Sequence, residues 1–159
     1  ALCIGKYFEV PAAAAQQAIA DYRPANMRSQ VLVRGTNKII LDAYNANPSS
    51  MAAAIESLAA MHAANKVVIV GDMFELEDEA DNEHRHILEL IRTKNFQAAF
   101  ICGHLFFRVR EAAPDAKFFQ TRDELMHALQ AQPLQHATVL IKASRGMGLE
   151  KVLDVFLDA

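Results

Sequence analysis

Cysteine is scarce in this chain, with Cys3 and Cys102 the only two. They stand far apart in apolar settings, which suits free buried thiols in a reducing compartment and leaves no material for a disulfide scaffold. Basic surplus is lacking too: the net charge is −3 and no Lys/Arg stripe occurs, which argues against nucleic acid or an anionic membrane as partner. The longest apolar runs fall well short of the ~20 residues that a membrane span needs. No signal peptide and no low-complexity tract is present, so the expected location is cytoplasmic. Two nucleotide fingerprints are missing as well, the G-x-x-x-x-G-K-[ST] loop and G-x-G-x-x-G. No Ser or Cys nucleophile stands with a companion base in a known context.

What is there reads as a globular domain. The 159 residues fit one domain of ordinary size, and 52% hydrophobic with 22% charged residues can build a core. Residues 1–10, "ALCIGKYFEV", have the character of an internal segment, which leads us to expect an excised domain or a processed product.

Two kinds of segment alternate along the chain. Short β-branched runs fall at 38–41, 66–70, 98–102, 117–119 and 138–141. Longer stretches with helical spacing lie between them at 48–64, 81–92, 105–112, 122–131 and 148–157. In the first of these Met51, Ile55, Leu58, Ala59 and His62 repeat at intervals of three and four, the mark of one apolar face. The alternation predicts an α/β fold, three layers and Rossmann-like, with a mostly parallel sheet covered on both faces. Residues 29–33, the "RGTN" turn and the run at 38 predict an antiparallel hairpin at one edge. Residues 1–24 carry no strand; "VPAAAAQQAIADYRP" predicts one short helix stopped by Pro24, the tail of a preceding domain, with the main domain over 25–159.

Ligands of open α/β sheets bind beyond the carboxyl ends of the strands, and the unusual polar residues cluster there. "DAYNANPSSM" follows the first parallel strand. Asp42 is a strand-end carboxylate suited to ribose hydroxyls, and Tyr44 offers a flat face to a base. Asn45 and Asn47 carry amide donors and acceptors. Taken alone, Asn47 and Pro48 read as an N-cap and first helical turn. The whole string exceeds what capping needs.

"GDMFE" places Asp72 at the next strand tip, where turn former and functional acid are equally good readings. The acidic run 77–83 lacks calcium-loop spacing and suits the positive end of a helix. His84 and His86, two apart, cannot form a metal pair on one helix face. His62, His104, His127 and His136 read as helix-surface or loop residues. "KASRGMGLE" sets Lys142, Ser144 and Arg145 before the last helix, where an anion or a simple Ser cap fits equally.

"DAYNANPSSM", "GDMFEL" followed by His84, and "KASRGMGLE", with Arg28 in "NMRSQ" ahead of them, resemble the C-terminal domain of the Mur ligase family, and within it the MurF-type ligases. The resemblance covers nearly the whole chain, with residues 1–24 similar to the last helix of the family's central ATPase domain. It implies an ATP-dependent ligase of peptidoglycan synthesis, joining D-alanyl-D-alanine to UDP-N-acetylmuramoyl-tripeptide through an acyl phosphate. The family's phosphate loop, magnesium ligands and carbamylated lysine belong to the central domain, so ATP and Mg would be held mainly outside this chain, which alone should be inactive. Partners implied are the two substrates and the ligase's own N-terminal and central domains.

Residue by residue, the resemblance gives Asp42 to the ATP ribose and Arg28 to the phosphates, as the catalytic cation. It gives Tyr44, Asn45 and Asn47 to the nucleotide side, and Asp72, Lys142, Ser144 and Arg145 to the dipeptide acceptor. Two positions depart from the family pattern, Ala143 and Glu77 standing where glycine is usual. The alternative from another class is a non-catalytic, flavodoxin-like ligand-binding or regulatory module using Asp42, Asp72 and Lys142 at its strand tips.

Overall fold

The protein's structure, a computed structural model, describes residues 1–22 and 26–156. Six strands form one sheet in the order β1-β2-β6-β3-β4-β5. They are β1 (Gln30–Arg34), β2 (Asn37–Asp42), β3 (Lys66–Gly71), β4 (Ala98–Cys102), β5 (Lys117–Phe119) and β6 (Thr138–Lys142). β1 runs antiparallel to β2, and every other pairing is parallel. The hairpin turns at Gly35, whose φ of 54° is open to glycine without strain. The predicted α/β architecture with an antiparallel edge is therefore the observed one.

Alternation along the strands divides the core in two. Ile40, Val68, Val70 and Leu140 face one side, against Met51, Ile55 and Leu58 of α3 (Pro48–Ala60) and Ile87, Leu88 and Ile91 of α4 (Ala80–Arg92). α5 (His104–Arg108) adds Phe106 to the same side. Ile39, Leu41, Val67, Ile69, Val139 and Ile141 face the other. There they meet Leu125 and Leu129 of α6 (Arg122–Ala131) and Leu149, Val152 and Phe156 of a 3-10 helix (Leu149–Phe156). β3 and β6 are thus apolar on both faces, which is why their sequences run without polar interruption.

Four expectations change. α3 stops at Ala60, so His62 lies past its end and is exposed instead of completing the apolar stripe. The last segment keeps its three-and-four spacing but winds as 3-10; its expected end at Leu157 lies outside the described residues, as does the expected stop at Pro24. The N-terminal piece holds two helices, α1 (Leu2–Tyr7) and α2 (Ala12–Asp21), with no buried residue in either. Cys3 is exposed there, while Cys102 is buried as expected.

The register aligns Asp42 with Lys142 across β2 and β6, and Lys142 with Val70 across β6 and β3. Gly71 aligns with Cys102 across β3 and β4. The four loops that follow β2, β3, β4 and β6 therefore open at one edge.

Candidate functional site

A cleft of about 390 Å³ lies at that edge, lined by Arg28, Asp42, Tyr44, Asn45, Ala46, Asn47, Ser50 and Lys142. It gathers Arg28 and all four residues expected on the nucleotide side. Arg28 is supplied by the segment before β1, whose neighbours Met27 and Ser29 have φ of 57° and 48°. Left-handed backbone at non-glycine residues is strained, and here the Ser29 N–H is tied to Asp42 Oδ1 at 3.2 Å. The Arg28 guanidinium stacks over the Tyr44 ring at 4.1 Å from its centroid, and that of Arg145 lies 5.6 Å from the same centroid. Among the described residues neither arginine has a carboxylate partner, so both cations are available to an anion.

Asp42 is not the solvated carboxylate its strand-end position suggests. Its Oδ2 accepts from Lys142 Nζ at 2.8 Å, and only 19% of its side chain is exposed. Lys142, 1% exposed, also donates to the Asn45 carbonyl at 3.0 Å. A lysine so buried is tolerable because two oxygens, one charged, replace its water. Lys142, expected by resemblance at the acceptor, therefore lines the same cleft as Arg28, Asp42, Tyr44, Asn45 and Asn47.

Asn47 caps α3. Its Oδ1 accepts the Ser50 N–H at 2.9 Å, and Ser50 Oγ accepts the Asn47 N–H at 3.1 Å, a reciprocal capping box with Pro48 at the first turn. Asn45 and Tyr44 are exposed in the cleft.

The residues expected at the acceptor lie close together, the Ser144 N–H donating to the Asp72 carbonyl at 3.1 Å, but their side chains are engaged differently. Asp72 is buried, and its oxygens accept the N–H groups of Leu105 and Phe106 at 3.0 Å each, closing the start of α5. Gly103, at φ 122°, makes room for this: a Cβ there would sit 2.3 Å from the Asp72 carboxyl carbon. Ser144 is buried and stitches two loops, its Oγ accepting from Phe74 N–H at 2.9 Å and donating to Ala46 O at 3.4 Å. Arg145 alone of the set is exposed.

Sequence reasoning used His84 only to exclude a metal pair and to mark the family resemblance, and gave it no role. It is fully buried, with Nε2 accepting the Met73 N–H at 3.0 Å and Nδ1 donating to Ala80 O at 2.6 Å. Burial holds its pKa below the usual histidine value against the raising influence of the Ala80 bond. Its one signal was position, four residues after the Ala80 carbonyl, which a helical histidine can reach. The two departures from the family pattern are also accommodated. Glu77 takes φ 46°, the left-handed conformation that glycine favours. The Ala143 methyl fills space left by Gly71, where a Cβ would stand 2.9 Å from it.

Residues 27–145 match the model of the Mur ligase, glutamate ligase domain. The chain belongs to the Mur ligase family. Among curated relatives of this Mur ligase domain is the UDP-N-acetylmuramoyl-tripeptide--D-alanyl-D-alanine ligase of Treponema pallidum, 33% identical over 90% of the chain and 32% of that protein. The enzyme of the same name from Rickettsia prowazekii is 29% identical over 96% of the chain and 34% of that protein. The domain thus spans about a third of the length of these relatives. Among solved structures, MurF from Acinetobacter baumannii superposes with a TM-score of 0.81 at 26% identity, covering 96% of the chain and 35% of that structure. MurF ligase from Thermotoga maritima in complex with ADP shares the fold, with a TM-score of 0.81 at 21% identity over 98% of the chain and 35% of that structure. No helix among the described residues is long and apolar enough to cross a membrane, and none of them gather three metal-ligating side chains.

Proposed function

We propose that this chain is the C-terminal domain of a cytoplasmic, ATP-dependent ligase that adds D-alanyl-D-alanine to UDP-N-acetylmuramoyl-tripeptide, and that it supplies one wall of the ATP site. The observation that carries this is the cleft itself: a strand-end carboxylate, an exposed aromatic face and an unpaired arginine line one opening, in a chain whose relatives bear that enzyme's name. In this proposal residues 1–24 are the tail of the central ATPase domain and 25–159 the closing domain. The exposure of Tyr7 (81%) and Phe8 (70%), and a family match that starts at residue 27, support that division.

The division of labour follows from the chemistry of each group. The phosphoryl group of ATP passes to the tripeptide carboxylate, giving an acyl phosphate and ADP; the dipeptide amine then attacks the acyl carbon and phosphate leaves. Arg28 offsets charge on the phosphoryl oxygens, while Tyr44 and Asn45 contact the nucleoside. Asp42 retains free lone pairs for ribose hydroxyls. Asn47 contributes through its spare amide group while its oxygen caps α3. Arg145, the exposed cation of the last loop, receives the dipeptide carboxylate. Asp72 serves that end by shaping its loop, since both its oxygens are already engaged. Magnesium, which phosphoryl transfer from ATP needs, belongs in this proposal to the parts of the ligase outside this chain.

The flavodoxin-like regulatory alternative is not favoured. It needs strand-tip acids free to act together, whereas Asp42 is bound to Lys142 and Asp72 to the start of α5.

Tyr44→Ala in the full-length protein is the direct test, because an exposed ring carries little stability. The expected result is tripeptide- and dipeptide-dependent phosphate release in the parent protein, with KM for ATP raised about ten-fold in the variant, the loss of one ~1.4 kcal/mol stacking contact. No ligation by the parent, or an unchanged KM for ATP, would overturn the proposal.

A further inference from the structure

Two side chains of the last strand and its loop reach across to the backbone of the nucleotide loop. Lys142 Nζ holds the Asn45 carbonyl at 3.0 Å, and Ser144 Oγ holds the next carbonyl, Ala46, at 3.4 Å. Both residues are buried, so neither can present its polar atom to a dipeptide in the open cleft. The residues between and beside these two carbonyls, Tyr44, Asn45 and Asn47, are the ones exposed to the cleft. Lys142 also grips Asp42, whose other oxygen restrains Ser29 beside Arg28. One buried ammonium is thereby linked to the loop backbone, to the strand-end carboxylate and, through that carboxylate, to the strained segment carrying Arg28.

Resting on the nucleotide-side assignment above, we infer that Lys142 and Ser144 are positioning residues for the ATP-binding loop and not contacts for the acceptor dipeptide. The physical cause is preorganisation. A loop of 43–46 without helix or strand bonds of its own would lose conformational freedom on binding; two carbonyls already fixed by buried donors remove part of that cost beforehand. Lysine suits the task because one Nζ with three protons can serve the carboxylate and the carbonyl together. Ser144 does the same for Ala46 while accepting the Phe74 N–H, so the loop after β3 is anchored to the same post.

The kinetic consequence separates ATP from dipeptide. In the full-length ligase, Lys142→Met keeps the buried stem and removes the charge; it should raise KM for ATP at least ten-fold while KM for D-alanyl-D-alanine stays within about two-fold. Lys142→Arg, which keeps the charge and can still reach Asp42, should recover much of that loss. Ser144→Ala should shift KM for ATP in the same direction but less. Should Lys142→Met fail to fold, Lys142→Arg and Ser144→Ala still carry the test, since both should move KM for ATP and spare that for the dipeptide.

A rise in the dipeptide KM with ATP use intact would overturn the inference and restore Lys142 to the acceptor. Equal losses for both substrates that Lys142→Arg does not relieve would also overturn it, leaving only a structural role. Tyr44→Ala run alongside keeps the two proposals distinct. If it raises KM for ATP and the Lys142 and Ser144 variants do not, positioning fails alone; if Tyr44→Ala has no effect, the nucleotide assignment itself has failed.

Discussion

His84 Nε2 lies 3.9 Å from Asp72 Oδ1, yet the two are not an ion pair, because that nitrogen accepts the Met73 N–H and so carries no proton. The neutral ring is a strut between β3 and α4, wedged edge-on against Phe106 with centroids 4.4 Å apart. Its dependence on pH follows. Above the unfolded-state pKa of about 6.5, neither folded nor unfolded chain protonates this residue. Below it the unfolded chain takes up a proton that the native site resists, its pKa being lowered by burial, so stability is lost as pH falls from about 6.5 towards the folded value. Denaturant unfolding at pH 7.5 and 5.5 should show wild type losing more stability between the two than His84→Leu loses. At pH 7.5 the variant should be about 1–3 kcal/mol less stable, the cost of a buried N–H without its acceptor. Equal losses on acidification would mean His84 does not set the slope.

Asp42→Asn should destabilise the domain by about 3 kcal/mol, because it removes the negative partner of a buried ammonium. Thermal or urea unfolding measures this directly. A variant as stable as wild type would show that Lys142 finds enough compensation from the Asn45 carbonyl alone.

Gly71→Ala should cost about 1–3 kcal/mol through overpacking, since the new methyl would meet that of Ala143 at 2.9 Å between two adjacent strands. Adding Ala143→Gly should return most of the loss, a coupling that a double-mutant cycle reads out. Independent, additive effects would place the strain elsewhere.

Burial pushes the Cys102 thiol up to about 12. In the native chain at pH 8, iodoacetamide should therefore label Cys3 and spare Cys102, and denaturation should expose both to mass-spectrometric detection. Native labelling at Cys102 would reveal an opening near β4.

Much of this architecture is written locally. β4, β5 and α6 have the limits their residue patterns indicate, because each is bounded by abrupt changes in polarity. The loops gathering at one sheet edge follow from the alternation alone. What local pattern does not carry is the fate of individual polar groups. Asp42 and Lys142 are 100 residues apart, and only the parallel register of β2 and β6 makes them partners. Asp72 was legible as a strand-tip acid, but its direction is decided by Gly103, on another loop. His84 reads as unremarkable until Met73 turns back over it. The helical spacing of 149–156 was visible, whereas its tighter 3-10 winding depends on packing against β6 and α6.

The place of β6 has a consequence for how the domain comes into being. Among the described residues it is the last strand in sequence, but it stands inside the sheet, between β2 and β3. Until residues 138–142 arrive, the sheet is two separate halves, and two long apolar edges lie open to other chains. During synthesis the ribosome must release nearly the whole domain before those edges can be sealed, so a stalled or truncated product ending before Thr138 is a natural client for chaperones and a seed for aggregation. The central strand closes the domain late, and with it, in one event, the Asp42–Lys142 pair.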